Sequence, residues 1–201
     1  MVGRLRARTR AWFLKPRSAR VPLPGVLALH GHGGSMVYGK ETKADGPART
    51  PPIVSARRSA NYGSRAFANE LAKGGFVVLA HDAFLWSSRR FPLEDMPEPM
   101  RRSAEAEQNL ALADGVPDDV ALYDAAAHHH EHLVEKYCRL LGMTLAGVVA
   151  REDRVTASYL LSGPDVSEGG LGRDWQGHYG PATSDPLRLS RRKRLAAILW
   201  D

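Results

Sequence analysis

Leu23-Pro24-Gly25-Val26-Leu27-Ala28-Leu29-His30-Gly31-His32-Gly33-Gly34 is an apolar run that empties into a glycine-rich loop flanked by histidines. Val26–Leu29 is continuously apolar, as in a strand buried on both faces of a parallel sheet. Glycine lets a backbone approach another backbone or a ligand where a Cβ would block it. A loop of this kind aims N–H groups at one point, and such donors stabilise an oxyanion. The candidate site residues are therefore His30, Gly31, His32, Gly33 and Gly34, with the His32 N–H as the first donor to consider. The competing reading is a turn packed against the sheet.

Working outward, residues 4–14 alternate arginine with small or apolar residues before Trp12-Phe13-Leu14, which predicts a strand with one solvated face. The alternative is a basic arm. Residues 35–60 carry Gly39, Gly46, Pro47, Pro51 and Pro52 and read as loop. Ser64 is positioned to cap a short helix bearing Phe67 and Leu71, stopped by Gly74-Gly75. Phe76–Ala80 reads as a second buried strand, ending at His81-Asp82. Asp82 stands where ligand sites gather in α/β sheets, so it is a candidate pocket residue; the other reading is a loop-capping aspartate.

Residues 83–118 read as irregular. Around 120–146 the spacing turns helical, with Leu133, Tyr137, Leu140 and Leu141 on one face. A further helix over about Val148–Leu161 puts Val148, Val155 and Tyr159 inward and Arg151, Glu152 and Asp153 outward. Alternating strands and helices predict an α/β fold: a three-layer sandwich around a mostly parallel sheet.

These pieces, in this order, resemble the α/β-hydrolase superfamily, in its dienelactone-hydrolase-like and acetyl-xylan-esterase-like branch. Arg8–Pro16 resembles the antiparallel second strand, and Pro22–Gly34 the third strand with its oxyanion loop. Asn61–Phe84 resembles the first helix and fourth strand. Arg151–Val166 resembles the helix that leads into the nucleophile strand. The resemblance covers roughly residues 5–168 and implies hydrolysis of a carboxylic ester by a serine nucleophile through an acyl-enzyme. It implies a small-molecule ester as substrate and no cofactor.

The family's Gly-x-Ser-x-Gly elbow is absent from this sequence. By resemblance the serine slot falls near Gly177, within Gly169-Gly170-Leu171-Gly172-Arg173-Asp174-Trp175-Gln176-Gly177. Arg173 and Asp174 would lie in a buried central strand, where unpaired charge is costly. The family's first strand and its downstream catalytic Asp and His have no counterpart here. The expectation is a truncated domain over 1–168, a divergent basic tail over 169–201, and an inactive chain with under-covered apolar faces at Leu133–Leu141 and Val148–Tyr159. The abrupt boundary suggests a single event, such as a frameshift. The alternative function is a non-catalytic protein that binds through its tail. There Arg188, Arg191, Arg192, Lys193 and Arg194 precede Leu195–Trp200, a segment open to reading as a basic amphipathic helix.

Other groups read more plainly. His128-His129-His130-Glu131-His132 places His128 and His132 on one helix face at metal-ligand spacing, but no motif supplies a third ligand, so a solvated face and no metal site is expected. Cys138, mid-helix, reads as a buried structural thiol rather than a nucleophile, and Ser162 as part of a helix-ending turn. The single cysteine allows no intrachain disulfide and fits a reducing compartment. A net charge of +6 permits weak attraction to polyanions without naming a specific nucleic-acid partner. No run approaches the ~18 apolar residues of a membrane span, and a cytoplasmic protein is expected.

Overall fold

The computed structural model describes residues 9–110, 117–167 and 195–198, the last four and residues 108–110 by backbone alone. Strand β2 (Gly25–Ala28) is buried at every position, and so is β3 (Val77–His81). They pair in parallel, Gly25 with Val77 through Ala28 with Ala80. β1 (Ala11–Leu14) runs antiparallel along the other edge of β3, Ala11 opposite His81. Its alternation of exposed and half-buried residues follows the expected period of two, but the strand starts only at Ala11. β4 (Leu195–Ile198) pairs in parallel with the free edge of β2. The sheet is therefore mixed, in the order β1–β3–β2–β4.

β4 corrects one expectation, since Leu195–Ile198 is strand and not helix. The edge of β2 that it occupies also receives the chain after the last helix. Val166 forms a parallel bridge with Leu23, and Leu23 N–H donates to the Asp165 carbonyl at 2.8 Å.

Two segments expected to be irregular are partly helical. Helix α1 (Pro52–Asn61) lies within 35–60. Its prolines read as breakers, yet proline at the first helical position costs nothing because that N–H has no intrahelical partner. Buried Arg58 of α1 donates to the Glu41 and Ala44 carbonyls at 2.6 and 2.8 Å and to the Asp45 carboxylate at 2.5 Å, tying the helix to a 3-10 turn at Lys40–Thr42. α2 (Phe67–Lys73) forms as expected and ends at Gly74, but Ser64 does not cap it. Ser64 lies at φ 62° and its N–H donates to the Arg58 carbonyl, closing α1 instead. α3 (Glu98–Leu110) falls within the supposedly irregular 83–118.

α4 (Asp118–Leu140) and α5 (Leu145–Ser162) are where expected, but their phases differ from the reading. α4 buries Tyr123, Ala126, Ala127, His130, Val134 and Cys138, while Tyr137, Leu140 and Leu141 are exposed. α5 buries Val149, Asp153, Ala157, Leu160 and Leu161; Val155 and Tyr159 face solvent. Thr144 caps α5 by accepting from Gly147 N–H at 3.0 Å, and Glu135 of α4 accepts from Leu145 N–H at 2.7 Å.

Helices cover both faces of the sheet. α5 packs Ala157, Leu160 and Leu161 on Leu27, Val77 and Leu79. α2 packs Ala68 and Ala72 on the opposite face, against Val26, Val78 and Ala80. A third cluster, around fully buried Trp86, joins the segment after β3 to α4 and the first turns of α5. Among the described residues no helix is long and apolar enough to cross a membrane.

Candidate functional site

β2 delivers the glycine loop at its C-terminal end. His30 is buried, its Nδ1–H donating to the Gly31 carbonyl at 3.1 Å while Nε2 accepts the Ala83 N–H at 3.0 Å. One ring nitrogen must donate and the other accept, so this ring is neutral. Burial lowers its pKa to about 3. The side chain thus bolts the loop after β2 to the segment after β3. Gly33 and Gly34 both adopt left-handed backbone, φ 60° and 65°, which residues with a Cβ resist.

His32 is pinned from three sides. Its Nε2–H donates to Glu131 of α4 at 2.9 Å, its Nδ1 accepts the Gly34 N–H at 3.3 Å, and its carbonyl accepts Trp86 Nε1–H at 3.3 Å. The Glu131 hydrogen bond raises the His32 pKa, and the same bond lowers that of Glu131. Just beyond, Ser35 is fully buried, and among the described residues its hydroxyl has no partner.

Asp82 is fully buried. Its carboxylate accepts from Lys40 Nζ at 2.8 Å, Lys40 N–H at 3.1 Å, Ser88 Oγ–H at 2.6 Å and Ser88 N–H at 3.2 Å. Burial pushes its pKa up, but the bonds from Lys40 and Ser88 outweigh that and hold it below the usual carboxylate range. Here Asp82 organises the loop between β3 and α3. Gly39 makes that packing possible: a Cβ there would lie 2.7 Å from Asp82 Oδ1 and 2.9 Å from His30 Nε2.

The reading missed His81 and Asp153, which form a buried pair, Nε2–H to Oδ1 at 3.0 Å. The other ring nitrogen donates to the Asp82 carbonyl at 3.1 Å. Both partners are acceptor oxygens, an arrangement that favours a ring protonated on both nitrogens. Burial pulls the His81 pKa down, and the Asp153 bond and charge outweigh it to leave a net rise. The available signal was the position of His81, at the C-terminal end of a buried strand. His81 lines a groove of about 830 Å³ between the start of β1 and the first half of α5, whose walls include Arg89, Met143, Arg151, Glu152 and Val155. Arg89 pairs with Glu152 at 2.5 Å.

The remaining candidates separate. His128 and His132 meet ring edge to face, 5.3 Å between centroids, while His129 pairs with Glu107 at 2.7 Å. Among the described residues no group of three or more His, Cys, Asp or Glu is arranged to hold a metal. Cys138 is buried in α4, and burial pushes its thiol pKa up, which suppresses the nucleophilic thiolate. Ser162 Oγ–H donates to the Tyr159 carbonyl at 2.8 Å. Gly177, the expected serine slot, and Arg188–Arg194 lie outside the described residues.

No family model and no curated protein matches this chain. Among solved structures it is similar to a Bacteroides fragilis protein provisionally assigned as an acetyl xylan esterase, with 16% identity and a TM-score of 0.48 over 80% of this chain and 32% of the other. The chain spans about a third of that protein's length.

Proposed function

We propose that residues 1–168 are the N-terminal part of an esterase-type α/β-hydrolase domain, of the dienelactone-hydrolase or acetyl-xylan-esterase-like branch, continued by a divergent tail over 169–201. In this reading the sheet is the truncated remainder of a mostly parallel three-layer sandwich. One observation carries it: a loop with two left-handed glycines leaves the buried strand β2, which pairs in parallel with β3, itself bordered by the antiparallel β1.

In such an enzyme a serine attacks an ester carbonyl, and backbone N–H groups take the charge that develops on oxygen. The segment His30–Gly34 supplies the donor side, held in place by the His30–Ala83 and His32–Glu131 hydrogen bonds. The nucleophile is what this chain lacks. The sequence carries no Gly-x-Ser-x-Gly, and by resemblance the serine slot falls near Gly177, which has no nucleophilic side chain. In this reading the chain retains the oxyanion side of an ancestral carboxylic-ester hydrolase and is inactive.

Hydrolysis of p-nitrophenyl acetate tests this. The expected rate equals that of the denatured protein. Turnover above that level, abolished by a serine-reactive fluorophosphonate, would overturn the reading. The encoding DNA provides the second arm: another frame past codon 168 should encode a Val/Ile/Gly-rich strand followed by Gly-x-Ser-x-Gly. A chain extended in that frame should gain fluorophosphonate-sensitive turnover. If neither alternative frame contains the elbow, the frameshift origin is wrong.

A further inference from the structure

His128 and His132 stand one turn apart on the same face of α4. Both are exposed, and neither ring forms a hydrogen bond or ion pair among the described residues. Two histidines at this helical spacing are able to share a zinc ion. Spacing alone also fits a plain solvated face, and the ring geometry adds to it. The two ring centroids are 5.3 Å apart. With metal–nitrogen bonds of about 2.0–2.1 Å and near-tetrahedral angles, two imidazoles on one ion have ring centres about 5 Å apart. The backbone therefore already sets the separation that a chelate requires. Each exposed ring is free to turn one nitrogen toward a shared point, because the χ2 torsion of histidine is broad. The neighbouring side chains are committed elsewhere. His129 is held by Glu107 at 2.7 Å, and His130 is buried edge to face with Phe91. Glu131 is held by His32 at 2.9 Å, yet both exposed rings bear on its carboxylate electrostatically.

We propose that His128 and His132 chelate one divalent transition ion of borderline softness, such as Zn²⁺ or Ni²⁺, on the outer face of α4. Each imidazole supplies one nitrogen, and water fills the other positions, so the site needs no third protein ligand. Glu131 stays on His32 and attracts the dication through space. Imidazole nitrogen suits ions of this class, whereas Mg²⁺ keeps to oxygen ligands. The site does not rest on the hydrolase reading and stands or falls separately.

Calorimetry on the full chain at pH 7.5 with Ni²⁺, Zn²⁺ and Mg²⁺ tests it. The expected result is one Ni²⁺ per chain with a Kd below about 100 µM, uptake of Zn²⁺ at the same site, and none of Mg²⁺. His128→Ala and His132→Ala should each weaken Ni²⁺ binding by about tenfold or more. The double variant should bind little worse than either single one, because one ring alone forms no chelate. His129→Ala should bind like the parent chain, which separates this pair from a diffuse histidine cluster. Alanine favours helix at all three positions, so the variants should fold. A Ni²⁺ Kd above about 100 µM, equal losses in His129→Ala and His132→Ala, or binding unchanged in His128→Ala or His132→Ala would each overturn the proposal.

Discussion

His81 and Asp153 join β3 to α5 through a buried contact of 3.0 Å in which the carboxylate favours the protonated ring. Removing the acid takes away the acceptor and the counter-charge, so burial then drives the ring to its neutral form and leaves its Nε2 side without a partner. Asp153→Ala is expected to cost about 3 kcal/mol of unfolding free energy, read from urea midpoints. A loss under ~0.5 kcal/mol would show that the pair is dispensable.

The pair also sets a pH limb. The folded His81 pKa lies above the ordinary 6.5. Its contribution is thus complete below about pH 6.5 and is lost as pH rises through the folded value. His81→Gln should flatten the stability profile on the alkaline side of 6.5. An unchanged alkaline limb in the variant would contradict this.

His30 acts with the opposite sign. Its folded pKa is lowered to about 3 by burial, so its contribution is complete above about pH 6.5 and is lost as pH falls toward 3. The shift corresponds to a few kcal/mol over that interval. His30→Gln retains an acceptor for the Ala83 N–H and removes the titration. Its urea midpoint should fall less steeply with acid than that of the parent chain. Equal slopes would exclude His30 as a source of the acid limb.

Two glycines near the loop separate crowding from backbone strain. Gly39→Ala forces a Cβ against Asp82 and His30 and should cost about 2–3 kcal/mol. Gly34→Ala meets open space, so only its φ of 65° opposes the change, at about 1 kcal/mol. Thermal or urea denaturation that ranks them the other way would show that the loop relaxes at Gly39 and not at Gly34.

Leu140 is 81% exposed and Tyr159 70% exposed. Large apolar side chains exposed on the outer faces of α4 and α5 promote self-association. The double change Leu140→Glu and Tyr159→Glu should raise the monomer fraction in sedimentation velocity and move stability by less than ~0.5 kcal/mol. No change in the monomer fraction would show that these residues do not drive association.

The same residues show what the text of the chain made legible. β2, β3 and α2 were readable because each is a short unbroken signal: an apolar run, or an apolar pair closed by Gly74-Gly75. The existence of α4 and α5 was readable too, but not their phase. Val148, Val155 and Tyr159 form an apolar stripe as regular as the buried one, and hydropathy gives no reason to prefer Val149, Asp153 and Ala157. Asp153 is inward because His81 waits for it, and that partner lies 72 positions away. α1 and α3 were hidden by prolines, which stand at or before their first turns, where they do not interrupt a helix. In the site, the loop glycines were legible from composition. The roles of His30 and His32 were not, because each depends on the atoms that its ring meets across the fold.

The pairing of β4 with β2 has a kinetic consequence. Residues near the two ends of the sequence lie side by side. At a ribosome adding ~5–20 residues per second, β2 and β3 emerge well before Leu195–Ile198 does. For on the order of ten seconds, the outer N–H and C=O groups of β2 have no β4 to meet. An apolar strand edge in that condition is a template for any other extended chain nearby. The nascent protein is therefore most open to misassembly in the interval before Leu195–Ile198 emerges, when the rest of the sheet is already in place.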